Sequence, residues 1–289
     1  MTTPSALSRA FPPVHVEAGL VTLGSPAVRL RDALDAVFTG WADRAGAERV
    51  LCPPLASAAD LADFDYFVNF PHLALAAAPV DTSDPDTLPG RGDDASLSPD
   101  RLGSTALLLP SAACYNLYSA LRGARLDRTV KATTIAQCFR REKEYQGLRR
   151  LHGFTMREIV AIGGPEDVQA HLERHAALIG EFADHLGLDL ATEVATDPFF
   201  DPDGSRAVMQ RLFPVKQEFV TADGVAIASV NHHRNFFGER ADLRVEGETA
   251  HTACVAFGVE RWLHALQTRF AGDWDAACDA VRAYPGARA

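Results

Sequence analysis

Two β-prone runs, Lys131–Phe139 and Phe154–Ile162, flank a charged stretch from Arg140 to Arg150. A parallel return between such runs needs a crossover element, usually a helix, whereas a charged loop closes them as a long antiparallel hairpin. That pair argues against a doubly wound parallel sheet. Elsewhere strands and helices alternate unevenly, so the expectation is a mixed α+β chain in which helices flank an antiparallel sheet.

The remaining elements follow from periodicity. Val28, Leu30, Leu34, Val37, Phe38 and Trp41 recur at helical spacing and predict a helix from Ala27 to about Ala45. Gly46 ends it, and Arg49-Val-Leu-Cys reads as a short strand stopped by Pro53 and Pro54. Residues 1–28 read as irregular, and Val80–Arg101, rich in Asp, Ser, Pro and Gly, as a loop. The apolar Ala106-Leu-Leu-Leu-Pro leads into a helix over Ser111–Leu121. Pro165 with Glu166 and Asp167 opens a helix through Val168, Leu172, Ile179, Phe182 and Leu186, and Gly187 stops it. Phe213–Thr221, Val225–Val230 and Ala250–Ala256 read as strands, the last running through Gly258 into a helix with Trp262, Leu263 and Leu266.

The chain has 289 residues, 47% of them hydrophobic, enough for one large domain or two small ones with a substantial core. No apolar run approaches the roughly 18–20 residues of a membrane helix, and Met1–Val14 lacks the pattern of a signal peptide. The cysteines Cys52, Cys114, Cys138, Cys254 and Cys278 are odd in number and lack CxxC spacing, which fits a reducing cytoplasm better than a disulfide scaffold. The net charge of −10 gives no global basic footprint for nucleic acid.

The densest polar signal is Phe139-Arg140-Arg141-Glu142, then Arg149-Arg150-Leu151, then Phe154-Thr-Met-Arg-Glu158. Taken blandly this is a solvated hairpin. Alternate residues of a strand share a face, so Arg140 and Glu142 point the same way. A guanidinium there is suited to fork onto a phosphate, and Phe154 to stack on a flat base. His171 and His175 stand one helical turn apart but lack metal-binding order, and are expected on an exposed helix face. His232 and His233, after Asn231, read as strand-end residues, with a place in the pocket wall as the alternative for one of them. Arg122, Arg125, Arg128 and Lys131 form a basic run, read either as solvated surface or as a dock for an acidic helix.

Together these segments resemble the class II aminoacyl-tRNA synthetases. Phe139-Arg-Arg-Glu142 is similar to their motif 2 and Gly258-Val-Glu-Arg261 to motif 3, while the helix ending near Gly46 with Val50-Leu-Cys-Pro-Pro54 looks like motif 1, which builds the dimer interface. Order and spacing resemble the seryl enzymes, with Leu109-Pro-Ser-Ala112 and Ser229-Val-Asn231 as further matches over roughly Ala27 to Leu266. Motif 1 begins within the first 30 residues, which leaves no room for a tRNA-gripping arm, and no anticodon-binding domain follows motif 3. Where the seryl pattern offers Thr-x-Glu to the substrate amine, this chain reads Ser111-Ala-Ala-Cys114. That departure, with Tyr115, the Tyr66–His72 run and Cys254-Val-Ala-Phe-Gly, resembles the zinc-dependent archaeal seryl enzymes. The likeness is closer still to their truncated bacterial relatives, the amino acid–[carrier protein] ligases.

The resemblance implies a synthetase-like sheet in one domain over residues 1–289, its core about 27–268. It implies Zn2+ on Cys114, Glu158 and Cys254, where the bland reading of each cysteine is a small buried apolar residue. Cys52, Cys138 and Cys278 stay core or surface thiols. Glu158 would also meet the substrate, through the ion that takes its amino group. ATP would be held by Arg140 at the α-phosphate and Arg261 at the γ-phosphate, the two catalytic cations. Glu142, Arg150 and Leu151 would flank the adenine and Phe154 stack on it. Lys216 and the strand residues Ala228, Ser229, Val230 and Asn231 complete the nucleotide site, with Glu218 the carboxylate left to place Mg2+. The implied activity is ATP-dependent activation of glycine or alanine and transfer to the phosphopantetheine thiol of a carrier protein, by a cytoplasmic homodimer with no tRNA and no membrane partner. A tRNA-charging catalytic subunit, a non-catalytic paralogue and a metal-bound structural protein are the alternatives.

Overall fold

The computed structural model describes residues 11–85, 88–90 and 96–287. Among these, a seven-stranded sheet runs in the order Leu190–Ala195, Lys216–Thr221, Ala226–Arg234, His251–Gly258, Gly153–Gly163, Val130–Phe139, Glu48–Arg49. Every neighbouring pair is antiparallel except the last, which is parallel. The expected hairpin is its centre, Val130–Phe139 against Gly153–Gly163, in register from Val130 opposite Ile162 to Phe139 opposite Gly153.

Alternation divides the sheet into two faces. Ile159, Ala161, Ala253, Val255 and Phe257 point to one side, where they pack with the helices Ser25–Arg44, Pro165–Leu186, Val259–Arg269 and Trp274–Ala283. Phe38 stacks on Phe257 with ring centroids 4.1 Å apart, and Trp41, Phe182, Trp262 and Tyr284 close the cluster around them. Each such buried ring contributes about 1.5–3 kcal/mol by leaving water. On this face Arg157 forks onto Asp35 of the first helix, Nε to Oδ1 and Nη2 to Oδ2 both at 2.8 Å, and locks helix to sheet. The opposite face carries Val160, Ile162 and Cys254 and is covered by Cys114–Ala120 and Phe236–Arg240. Residues 156, 158, 254 and 256 share that second face, so any chemistry borne by Glu158 and Cys254 is done there.

The long helices fall where periodicity puts them. Pro26 stands in the first turn of Ser25–Arg44, and Gly187 caps Pro165–Leu186 in the left-handed region at φ 64°. Four expectations need correction. Residues 14–23 are not irregular: Val14–Glu17 and Leu20–Leu23 form a hairpin whose Ala18-Gly19 turn has positive φ at both positions. The expected strand from Phe213 begins at Lys216, because Ser205–Leu212 is a helix ending at Phe213. Leu190–Ala195 is an additional strand, at the sheet edge. His171 and His175 are buried against the sheet, His171 Nε2 lying 3.2 Å from Ile159 O and His175 Nδ1 2.8 Å from His171 O.

The Ser111–Leu121 helix is trimmed to Cys114–Ala120. The described part of Val80–Arg101 is a loop with one short 3-10 turn, Pro99–Arg101; residues 86, 87 and 91–95 of it, and residues 1–10 of the N-terminal stretch, lie outside the described residues. No helix among the described residues is long and apolar enough to cross a membrane, and all five cysteines are free.

Candidate functional site

Three elements converge on one point of the second face. The N-terminal turn of Cys114–Ala120 brings Cys114, the central strand brings Glu158, and its neighbour brings Cys254. Their ligand atoms lie within 4.8 Å of one another, all three residues buried. Glu158, 1% exposed, accepts from the backbone N–H of Ala113 at 2.8 Å and of Cys114 at 3.2 Å through Oε1. Its other oxygen, Oε2, is buried with no hydrogen-bond partner among the described residues. Burial pushes the Glu158 carboxyl up, and the donors around it pull it only part of the way back. Cys114 is pushed far up by its hydrogen bond to Cys254, then by burial and the Glu158 charge. The same hydrogen bond pulls Cys254 down, but burial and Glu158 outweigh it and leave that thiol raised.

These shifts describe three potential anions crowded together at a buried point. A divalent cation reverses that logic and favours two thiolates and a carboxylate. Two sulfurs and one carboxylate oxygen are a zinc donor set with one position left open, and the unpaired Glu158 Oε2 is the atom such an ion would satisfy. The residues fit the ion.

The trio lines a cavity of about 480 Å³ together with Arg140, Lys216, Ser229 and Asn231. A smaller cavity of about 90 Å³ adjoins it, lined by Glu142, Arg150, Leu151, Phe154, Glu218, Ala228 and Arg261. Arg140, Met156, Lys216, Ser229 and Ala256 belong to both. Arg140 donates from Nε and Nη2 to Ser111 O, each at 3.2 Å, and its guanidinium lies 5.1 Å from the Phe154 ring centre. Arg261 donates from Nε to Arg149 O at 3.0 Å and from Nη1 to Ala226 O at 2.9 Å. Burial, then the Arg140 charge, pulls the Arg261 pKa below its usual value. Glu142 faces Arg150 at 3.6 Å. Lys216 Nζ sits between Asp197 at 3.1 Å and Glu218 at 2.9 Å. Burial alone would lower that ammonium, and the two carboxylates outweigh it.

Thus the structure brings together every residue singled out for the site except Val230, whose side chain is buried among the helix-side core and lines neither cavity. His232 and His233 are more than strand ends. Both line the larger cavity, and His233 Nε2 lies 3.5 Å from Cys254 Sγ. Asp197, which holds Lys216 and Gln210, was not visible as a site residue in sequence. The basic run is dispersed: Arg122 pairs with Asp60 and Asp63, Arg125 with Asp242, and Lys131 donates to Ala45 O.

Comparison with known proteins agrees with this geometry. Residues 104–270 match the tRNA synthetase class II core domain (G, H, P, S and T). The chain is 35% identical over 228 residues to amino acid--[acyl-carrier-protein] ligase 1 of Bradyrhizobium diazoefficiens, covering 75% of this chain and 70% of that one. It is 36% identical over 220 residues to ligase 2 of the same organism, covering 72% and 66%. Among solved structures, the M. kandleri seryl-tRNA synthetase in complex with A. aeolicus tRNASec superposes with a TM-score of 0.77 at 21% identity, over 97% of this chain and 60% of that one.

Proposed function

The chain belongs to the class II core-domain family of tRNA synthetases and, within it, to the amino acid–[acyl-carrier-protein] ligases, and from that premise we propose that it joins glycine or alanine to the phosphopantetheine thiol of a carrier protein, driven by ATP. What supports this most is the adjacency of a two-thiol, one-carboxylate cluster to a cavity flanked by Arg140 and Arg261, with Lys216 and Ser229 in the wall between them.

A carboxylate oxygen of the amino acid attacks the α-phosphorus, forming the mixed anhydride of the adenylate, and pyrophosphate leaves. The carrier thiol then attacks the adenylate carbonyl, its proton is lost to water, and AMP departs. Arg140 would hold the α-phosphate and Arg261 the γ-phosphate. Both guanidiniums are already aimed by backbone carbonyls, so their charge needs little reorganisation as negative charge moves. Glu142, Arg150 and Leu151 would flank the base, Phe154 would stack on it, and Ala228–Asn231 would wall the phosphate side. Lys216, fixed between two carboxylates, would add a cation, and Glu218 would share Mg2+.

Cys114, Glu158 and Cys254 would hold zinc. Bound there, the ion would supply an electrophilic seat for the substrate's unprotonated amine. The choice of glycine or alanine follows from the family likeness and not from the size of the cavity, which is about 480 Å³. By the same premise the Ser25–Arg44 helix and the Val50–Pro54 stretch meet a second copy, and the five free thiols suit the cytoplasm.

The test is ATP–pyrophosphate exchange across a panel of small amino acids, with and without chelator, followed by transfer to apo-carrier, holo-carrier or bulk tRNA. Glycine- or alanine-dependent exchange and labelling of holo-carrier alone are expected. Labelling of tRNA but never of holo-carrier would overturn the proposed acceptor, and no exchange with any amino acid would point to a non-catalytic paralogue.

A further inference from the structure

We infer that His233 is a positioning residue for the candidate metal centre, donating a hydrogen bond from Nε2–H to the Cys254 sulfur; this rests on the zinc reading above.

The geometry assigns the proton. Two hydroxyls converge on the other ring nitrogen, Thr252 Oγ1 at 3.2 Å and Tyr118 Oη at 3.4 Å from Nδ1. Both residues are fully buried, and a buried hydroxyl hydrogen must find an acceptor. Nδ1 offers one lone pair, which one of the two hydroxyls fills while the hydrogen bond between Tyr118 and Thr252 serves the other, so that nitrogen accepts. With Nδ1 accepting, the ring proton sits on Nε2. That atom lies 3.5 Å from Cys254 Sγ. A ring that donates to a ligand sulfur lowers the energy of the thiolate and fixes its direction, as groups behind a metal's ligands do.

Three parts of the fold are needed to set this ring. The Ala226–Arg234 strand changes register between His232 and Arg234, a bulge that re-aims the side chains there. Tyr118 stands four residues after Cys114 on the same helix face, so the turn that delivers the first sulfur also orients the ring serving the second. Thr252 precedes Cys254 by two on one strand and shares its face. Phe237 packs edge-on to the imidazole at 5.0 Å and face-on to Tyr118 at 4.0 Å, which holds both rings.

The test uses Co2+ as the probe in the full chain, comparing wild type, His233→Phe, which cannot donate, and His233→Gln, whose amide can; far-UV circular dichroism checks each fold. In wild type a thiolate-to-cobalt charge-transfer band is expected. His233→Phe should shift it to longer wavelength and weaken Co2+ binding about 10–100-fold, and His233→Gln should recover most of both. Identical bands and affinities in wild type and His233→Phe would overturn the inference while leaving the metal reading intact. Absence of a thiolate band in wild type would overturn both.

Discussion

Glu158 and Cys254 stand diagonally across two antiparallel strands, because Glu158 pairs with Ala256 and Cys254 with Val160. The diagonal keeps both side chains on one face and leaves room between them for the sulfur of Cys114, which arrives from the helix above. A ligand set so spaced depends on register, and the predictions below follow from that dependence and from the groups that hold it.

Cys254→Ser and Glu158→Gln each remove one anionic donor from the cluster. Both purified variants should hold less than stoichiometric zinc by elemental analysis. Their amino-acid-dependent pyrophosphate exchange should fall about 100-fold. A variant with full activity and no metal would remove the cluster from the chemistry.

Arg261→Lys keeps a positive charge but loses the planar fork that spans Arg149 O and Ala226 O. The kcat/KM for ATP in the exchange reaction should drop about 100-fold, with far-UV dichroism unchanged. A drop of less than threefold would mean that a point charge suffices there.

Arg157 and Asp35 form a largely buried, bidentate pair between sheet and first helix. Arg157 also donates to Thr133 Oγ1, whose hydroxyl donates to Glu158 O, so the pair braces the strand beside the cluster. Asp35→Ala leaves a buried cation and should cost about 3–5 kcal/mol in urea unfolding. The double variant Asp35→Leu with Arg157→Met should recover most of that loss, since two apolar groups leave no charge stranded.

His171 and His175 give a pH dependence with a definite sign. Burial, with the neighbouring His175, pulls His171 down to about 3, and burial pulls His175 down to about 4. In the unfolded chain both titrate near 6.5. Between those limits the unfolded state binds more protons, so stability rises with pH across the window and falls as acid is added below about 6.5. Each histidine contributes a slope of up to about 1.4 kcal/mol per pH unit. Chemical denaturation from pH 7 to pH 4.5 should show this slope, and replacing both histidines by Leu should flatten it. An unchanged slope would mean that other groups carry the acid sensitivity.

The same two residues show how far sequence reading reached. Val168, His171, Leu172, His175, Ile179, Phe182 and Leu186 follow one helical stripe without a break. Both histidines stand on that stripe, whereas the expectation had assigned the apolar stripe to the other helix face and left them on an exposed one. The central hairpin was legible because its strands are long, apolar and separated by charge. The edge strand Leu190–Ala195 was not, because Leu-Ala-Thr-Glu-Val-Ala lacks regular alternation, has polar Thr and Glu at its centre and is mostly exposed, as a sheet edge permits. Glu158 could be placed on the face of Phe154 by alternation, and the same alternation from Ser229 and Asn231 reaches His233. The approach of Cys114 to Cys254 had no such rule behind it. Separation along a chain carries no distance, so only the resemblance joined those two cysteines before the fold did.

Few residues are common to the two adjoining cavities, and most of the larger one's wall is built from side chains that never meet the smaller. On the proposed reading, substitutions at Tyr115 or Phe199, which line the larger cavity alone, would therefore reshape what that cavity accepts while the nucleotide-binding half stays as it is. Such a division lets a lineage exchange one building block for another by drift in a single chamber, and it marks that chamber as the place to begin when redesigning the ligase for a bulkier monomer.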